Sequence, residues 1–526
     1  MSRMNRFYRG LLVLPFMLLA LPAAAQSFRV QCPNATTLHP LVNGLPDPAI
    51  KCQQISGGDG FATMGDGTQT YLFAFGPLSG LVDMVHGLPG TEPASIFNTL
   101  APTDPGVGDP TLATTFNGAV GLSRDPEVAT NPDCSLASPP SFCNPSSPDY
   151  GLDGHVDPRA IMDVGVLNGN MPAPTMAINE DDEFFLTLTN VGMIMRPDLF
   201  EQHTVHFHGY PNASSFYDGV PDASVAINIG GSFTYYYLAP DAGTYMWHCH
   251  ITPPEHLQMG MVGQVYVRPR QNRVPAGGSL RAGLVAQQTD LRTASNCATD
   301  ILCSAPVPPA NTVTHANNKS NTPTLYAYND GDGSTAYDVE YPIQIHGFDP
   351  NFHFVGMTFN PEPFTDMKDK YFLLNGRSYP DTINAAPMHT QAADGTEHYS
   401  QPLATLINIP AGGRALLRFS DLDAQEMQTL ASAGIPMRVI GYNAKLLRDM
   451  DGNNMAYDTN SITLGGGESL DVILDASDTT RYPVGSTYYL YSPNLDHLSN
   501  DAENFGGLMT EVHICNAVDP ATKACS

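Results

Sequence analysis

Short runs of β-branched and aromatic residues, each closed by turn residues, constrain this 526-residue chain more than any other feature. "EFFLTLTNV" (183–191), "FTYYYLAP" (233–240) and "GQVYVRP" (263–269) have strand length and are bounded by Gly, Pro, Asn or Asp. A second block repeats the pattern in "KYFLLNGRSYPDT", "ALLRFSDL", "MRVIGYNAKLL" and "ESLDVILDAS". No helical periodicity is long enough to dominate a domain. The 47 Gly and 45 Pro, beside only 14% charged residues, suit many turns and few helix interiors. The chain is therefore expected to be all-β, and it is long enough for several domains.

The first 25 residues read as a separable leader. Arg3, Arg6 and Arg9 form a basic start, Leu11 to Leu21 an apolar stretch, and Ala23-Ala24-Ala25 a small-residue cleavage site. That stretch is too short for a membrane span. The mature chain is expected to have no membrane span and to be secreted, periplasmic or at the outer cell surface. Five further segments are expected: a loop-rich region carrying a few strands at 26–160, a first β-domain at 161–270, a polar connector at 271–340, a second β-domain at 341–516 and a tail at 517–526. The formal net charge is −28, and losing the three leader arginines makes the chain more acidic still. Such a surface repels nucleic acid and anionic lipid.

Eight of the nine cysteines are close neighbours in sequence: Cys32 and Cys52, Cys134 and Cys143, Cys297 and Cys303, Cys515 and Cys525. Local disulfides suit an exported chain, although the sequence alone leaves the connectivity open. The ninth, Cys249, stands between His248 and His250. A lone thiol in an oxidising compartment calls for a reason, and a metal supplies one.

Two segments carry the chemistry. "EQHTVHFHGY" contains His203, His206 and His208, and "GTYMWHCHITPPEHLQMGM" contains His248, Cys249, His250, His256 and Met261. Alternation along a strand puts His206 and His208 on one face; it also puts His248 and His250 on one face and Cys249 on the other. Two imidazoles, a thiolate and a weak axial thioether are the ligands of a blue, type 1 copper site, and His203, Cys249, His256 and Met261 offer that set. Neutral imidazoles at His206, His208, His248 and His250 would hold further copper. A zinc site is the competing assignment, but the His-rich set with methionine favours copper.

These residues resemble the multicopper oxidases. His203-Thr-Val-His206-Phe-His208-Gly matches the family's H-x-x-H-x-H signature. The second signature is matched with two extra residues, because His256 lies seven positions after Cys249 where the family usually has five. "NGNMPAPTM" (168–176) and "YDGVPDASVAINIGGSFTYYY" (217–237) are similar as well. The resemblance implies two cupredoxin-like Greek-key β-sandwiches, the second free of copper, preceded by an irregular, disulfide-pinned region. In the second, Tyr491, Ser492 and Pro493 stand opposite His248, Cys249 and His250.

The implied activity is laccase-like. A metal ion or phenol gives single electrons at a type 1 copper, and a type 2/type 3 copper cluster reduces dioxygen to water. By resemblance Asp218 is a candidate proton relay, although an Asp-Gly turn explains it equally well. A full cluster in this family uses four HxH pairs, and this chain supplies two. Either a neighbouring subunit completes it, as in a homotrimer, or the cluster is unconventional; His346 and His353 are the best candidate donors within the chain, although an ordinary strand histidine is the readier reading of each. The subgroup it looks closest to is a secreted bacterial one linked to extracellular metal oxidation. A nitrite reductase-like enzyme and a non-enzymatic blue-copper carrier are the alternatives. "NDGDGSTAYD" (329–338) and "DMDGNNMAYD" (449–458) lack calcium-loop spacing and are expected to be turns.

Overall fold

A computed structural model describes residues 30–84, 87–98, 128–147, 150–151, 167–197, 201–209, 214–239, 241–287, 312–316, 319, 323–356, 363–391 and 397–526. The chain is all-β, with two cupredoxin-like sandwiches. The first is built from β1 (Ile50–Thr63), β2 (Gln69–Pro77), β3 (Met176–Asn179), β4 (Glu183–Gly192), β5 (His206–Phe207), β6 (Ser232–Leu238), β7 (Gly243–His248) and β8 (Val262–Arg268). One sheet runs β2-β1-β4-β6 and the other β3-β8-β7-β5. Tyr235 and Tyr237 of β6 point inward at 0% exposure, while Thr234 and Tyr236, which precede each of them, are half-buried, the alternation of a sheet with one covered face. Phe75 meets Trp247 across the sandwich at 4.9 Å between ring centroids, with Leu186 and Val267 beside them. Each such fully buried Leu or Phe contributes about 1.5–3 kcal/mol.

The N-terminal region departs from expectation. Residues 50–77, expected to lie in a loop-rich segment, supply β1 and β2, so the first sandwich begins at Ile50 rather than at residue 161. β1 pairs in parallel with β4 and antiparallel with β2. It lies between neighbours with both faces covered, burying Gln53, Gln54 and Ser56 together. A strand of polar and glycine residues buried on both faces shows no alternation to read.

The second sandwich comprises β9 (Val339–Phe348), β10 (Tyr371–Leu374), β11 (Ile407–Pro410), β12 (Arg414–Asp421), β13 (Gln428–Ala433), β14 (Met437–Tyr442), β15 (Ser461–Leu464), β16 (Ser469–Asp475), β17 (Thr487–Tyr491) and β18 (Met509–Cys515). Its sheets run β10-β9-β12-β16-β14 and β11-β18-β17-β13-β15. The sandwiches are joined through buried polar contacts. Thr244 donates to Asp471 at 2.6 Å, and Gln264 donates to the Arg418 carbonyl and to Ser420 Oγ, both at 2.9 Å.

Disulfides link Cys32 to Cys52, Cys134 to Cys143 and Cys515 to Cys525, and Cys249 is free. The leader, Cys297 and Cys303 lie outside the described residues. No helix among the described residues is long and apolar enough to cross a membrane. The two Asp-rich segments are turns: the Asp330 carboxylate accepts from Gly333 N, Thr335 N and Gln271 Nε2, and Asp449 accepts from Asp451 N and Asn453 N.

Candidate metal centre

β7 ends at His248 and delivers Cys249 into the core, while an antiparallel bridge between His203 and Ile227 fixes His203 opposite. A short helix, α1 (Pro253–Gln258), absorbs the extra length of the ligand loop and carries His256. The ligand atoms of His203, Cys249 and His256 all lie within 4.8 Å of one another, and the three residues are fully buried. Met261 closes the loop: Cys249 N donates to its carbonyl at 3.0 Å, and its own N donates to the His256 carbonyl at 2.8 Å.

This donor set fits a copper ion. Neither ring nitrogen of His203 has a hydrogen-bond partner, nor does His256 Nε2, which lies 3.7 Å from Glu201. Each buried polar atom left unsatisfied costs about 1–3 kcal/mol. Two imidazoles and a thiolate that converge this way lose that penalty on a soft metal. Cys249 Sγ lies 3.3 Å from His256 Nδ1 and accepts from Thr204 N at 3.4 Å. Burial alone pushes the thiol up, but His256 and His203 outweigh it and hold it well below its ordinary value. For His256 burial works downward, and Cys249 and Glu201 lift it to about 9. Each partner favours the charged form of the other, so a metal held here would take the place of the His256 proton.

On the other side of Cys249 lies a histidine cluster. His206 pairs with His248 across β5 and β7, and ligand nitrogens of His206, His208 and His248 also fall within 4.8 Å of one another. His206 Nδ1 contacts the Asp218 carbonyl and His248 Nδ1 the Cys249 carbonyl, each at 2.6 Å. A donor at Nδ1 fixes the tautomer and leaves each Nε2 with its lone pair for a metal. His248 Nε2 faces His208 Nε2 at 3.0 Å. Burial first, then the neighbouring imidazoles, lowers His248 to about 3, which keeps it in the neutral ligand form. The His250 ring is 5.0 Å from that of His206, but His250 falls outside the tight triple. Asp218 sits at the rim, its carboxylate 3.8 Å from His206 Nδ1.

His346 and His353 do not reach this cluster. His346 Nε2 contacts the Leu257 carbonyl at 2.9 Å, and His353 contacts the carbonyls of Gln258 and Tyr71 at 2.9 and 2.6 Å. Both brace α1 instead, His346 from β9 and His353 from the short helix Pro350–Gly356. Other neighbours carried no sequence signal. A Cβ built on Gly467, from the second sandwich, would sit 2.9 Å from His208 Nδ1. A Cβ on Gly57 would sit 2.7 Å from His203 Cδ2 and 3.3 Å from the Met261 methyl. Gly57→Ala therefore displaces His203. The expected result, measured by competition with a copper chelator, is a loss of roughly 10-fold or more in affinity, the effect of disturbing a group that orients a ligand.

Residues 154–272 match the family model described as multicopper oxidase. The chain is 36% identical over 109 residues to laccase abr2 of Aspergillus fumigatus, covering 20% of this chain and 17% of that protein. It is 32% identical over 118 residues to a copper-containing nitrite reductase of Rhizobium meliloti, covering 22% of this chain and 28% of that protein. Among solved structures it is similar to the blue copper oxidase of Nitrosomonas europaea, with a TM-score of 0.41, 20% identity, and coverage of 66% of this chain and 78% of that one. The chain thus spans less than a third of the length of these curated relatives. Residues 154–272 are a multicopper oxidase domain, and copper is its cofactor.

Proposed function

We propose that the chain is an exported copper oxidoreductase that takes single electrons from a metal ion or phenol and delivers them to dioxygen. Copper held by His203, Cys249, His256 and Met261, and further copper held by His206, His208, His248 and His250, supplies the one-electron chemistry. The observation that carries this reading is the place of Cys249: fully buried, with its side chain in one donor set and its neighbours His248 and His250 in or beside the other. One covalent path of a few bonds connects the two sets. Burial of Cys249 and His256 keeps water from the sulfur and holds the ligands rigid between redox states.

Asp218, whose carboxylate lies 3.8 Å from His206 Nδ1 at the half-exposed rim, would serve as the proton relay. Among the described residues the histidine cluster has too few imidazoles for a complete oxygen-reducing site. A second copy of the chain laid over that face, in a cyclic homotrimer, would supply the remainder.

The tight triple of His206, His208 and His248 also suits a single copper, which favours a nitrite reductase-like enzyme as the second reading. Copper quantification with sedimentation separates them. A trimer holding about four coppers per chain and consuming dioxygen is expected, whereas about two per chain with nitrite turnover would establish the alternative. A fully active monomer would remove the need for a partner subunit.

A further inference from the structure

α1 carries a candidate copper ligand, His256, but has little of its own to hold its shape. It runs only from Pro253 to Gln258, and the chain enters it through Thr252 at a left-handed φ of 36° with no side-chain cap. Isolated helices shorter than about 12 residues are not stable in water, and the last carbonyls of any helix need partners from outside it. Here the second sandwich supplies them. His346 Nε2 donates to the Leu257 carbonyl and His353 Nε2 meets that of Gln258, both at 2.9 Å. The Gln258 side chain is fully buried and held at both ends: its Nε2 donates to Asp369 Oδ1 at 2.9 Å, and its Oε1 accepts from Asp349 N at 3.1 Å. His256 stands next to these anchors, with its Nδ1 3.3 Å from Cys249 Sγ, so any shift of this end of α1 is felt at the sulfur.

Asp369 is fixed from behind in turn. Among the described residues no N–H reaches its other oxygen, Oδ2, which is buried. That oxygen and Asp423 Oδ2 converge over Gly347, where an added Cβ would clash with both. Two buried carboxylates this close cannot both be ionised, so one proton is shared between them. Burial, with Asp423 beside it, pushes the Asp369 carboxyl well above the usual carboxylate range. Asp423 is anchored by Gln425 N at 2.7 Å and Gln428 Nε2 at 2.5 Å. An unbroken line of hydrogen bonds thus runs from the second sandwich through Asp423, Asp369 and Gln258 to the helix that presents His256.

We infer that Asp369 is a positioning residue for His256, and that through Gln258 the second sandwich sets the reduction potential of the metal pocket in the first. The inference rests on the type 1 reading of that pocket. Seven positions between Cys249 and His256 give the ligand loop slack, and a ligand free to drift from the metal cannot keep one geometry in both redox states. Seating α1 on Asp369 removes that slack from a distance, without adding a group to the pocket itself.

Three substitutions test this. Asp369→Leu removes the acceptor, and Gln258→Met removes both side-chain bonds from the helix side. Each is expected to raise the reduction potential of the copper-loaded chain, because a loosened imidazole stabilises Cu(II) less. Each should also lose copper affinity by roughly 10-fold or more in competition with a chelator. Asp369→Asn is the rescue: its Oδ1 still accepts from Gln258 and its amide N–H stands in for the shared proton, so potential and blue band should match wild type. In the metal-free chains the amides of His256 and Met259, bonded within α1 to the Thr252 and Glu255 carbonyls, should exchange faster in Asp369→Leu and Gln258→Met but not in Asp369→Asn. Folded Asp369→Leu and Gln258→Met chains with wild-type potential, affinity and exchange would overturn the inference, even if both melt earlier. So would an Asp369→Asn chain shifted as far as Asp369→Leu. Should Asp369→Leu fail to fold, Gln258→Met decides on the same readouts. A colourless, copper-loaded wild type would instead fail the type 1 reading, and exchange in the metal-free chains would still judge the seat of α1.

Discussion

Cys249→Ser is expected to abolish the blue colour of the copper-loaded protein and to lower turnover by more than roughly 100-fold, since losing a ligand exceeds the cost of losing a group that merely orients one. The side chain is fully buried, and serine accepts from Thr204 N as the sulfur does, so folding should survive. What disappears is the only soft anionic donor in the set. His203 and His256 remain, and they can hold copper without the thiolate charge transfer that gives the colour. Met261→Leu is the contrasting change. It removes a weak axial ligand, so the colour should stay and the reduction potential should rise. Visible spectra, copper content and a redox titration on the three chains check both. Retained blue colour in Cys249→Ser would sink the assignment of the sulfur.

The ligand cluster was legible because metal chemistry dictates residue type and short spacing together. His203, Cys249 and His256 announce themselves in two segments, and the structure brings their ligand atoms within 4.8 Å of one another. What surrounds them was not legible. Gly57 comes from a strand whose buried faces carry Gln53, Gln54 and Ser56, and nothing in "ISGGDG" distinguishes it from a loop. Gly467 belongs to the other sandwich and meets His208 only after the two domains pack. His346 and His353 follow the plainer of their two readings, that of ordinary structural histidines. Their residue type suggests a ligand, but His346 Nε2 and both ring nitrogens of His353 are spent on carbonyls of α1 and β2. A histidine in isolation says little until its acceptors are known. The β-sandwich pattern was readable wherever one face is covered, as in β6, and unreadable in β1, where both are.

The seam between the sandwiches should be the most acid-sensitive part of the fold, and Glu340→Gln the most damaging single change there. Arg418 is 0% exposed and donates from Nε to Glu340 at 3.1 Å, while Arg268, reaching over from β8, donates from Nε to the same carboxylate at 3.0 Å. The Arg418 guanidinium also lies over the Tyr266 ring at 4.7 Å. Burial pushes the Glu340 carboxyl up, but the two arginines outweigh it and hold it well below the usual carboxylate range. Because the folded value is depressed, the stabilisation is present above the unfolded value of about 4.3 and is lost as pH falls through the folded value. Removing the charge leaves a buried guanidinium with Asp471, at 3.7 Å, as its remaining acidic neighbour. Breaking a buried pair in this way costs about 3–5 kcal/mol. For a unit of this size that is a fall in Tm of roughly 6–20 °C at neutral pH. The Tm gap between Glu340→Gln and wild type should narrow below pH of about 4.3, as the wild-type carboxylate is titrated. Adding Arg418→Met removes the orphaned cation and should recover part of the loss, since an apolar replacement of a buried pair is often neutral. Calorimetry on the three chains across that pH range checks the set. A Glu340→Gln chain as stable as wild type at pH 7 would mean that the seam is held by its other hydrogen bonds, such as Thr244 to Asp471 and Gln264 to Ser420, rather than by the Glu340 charge.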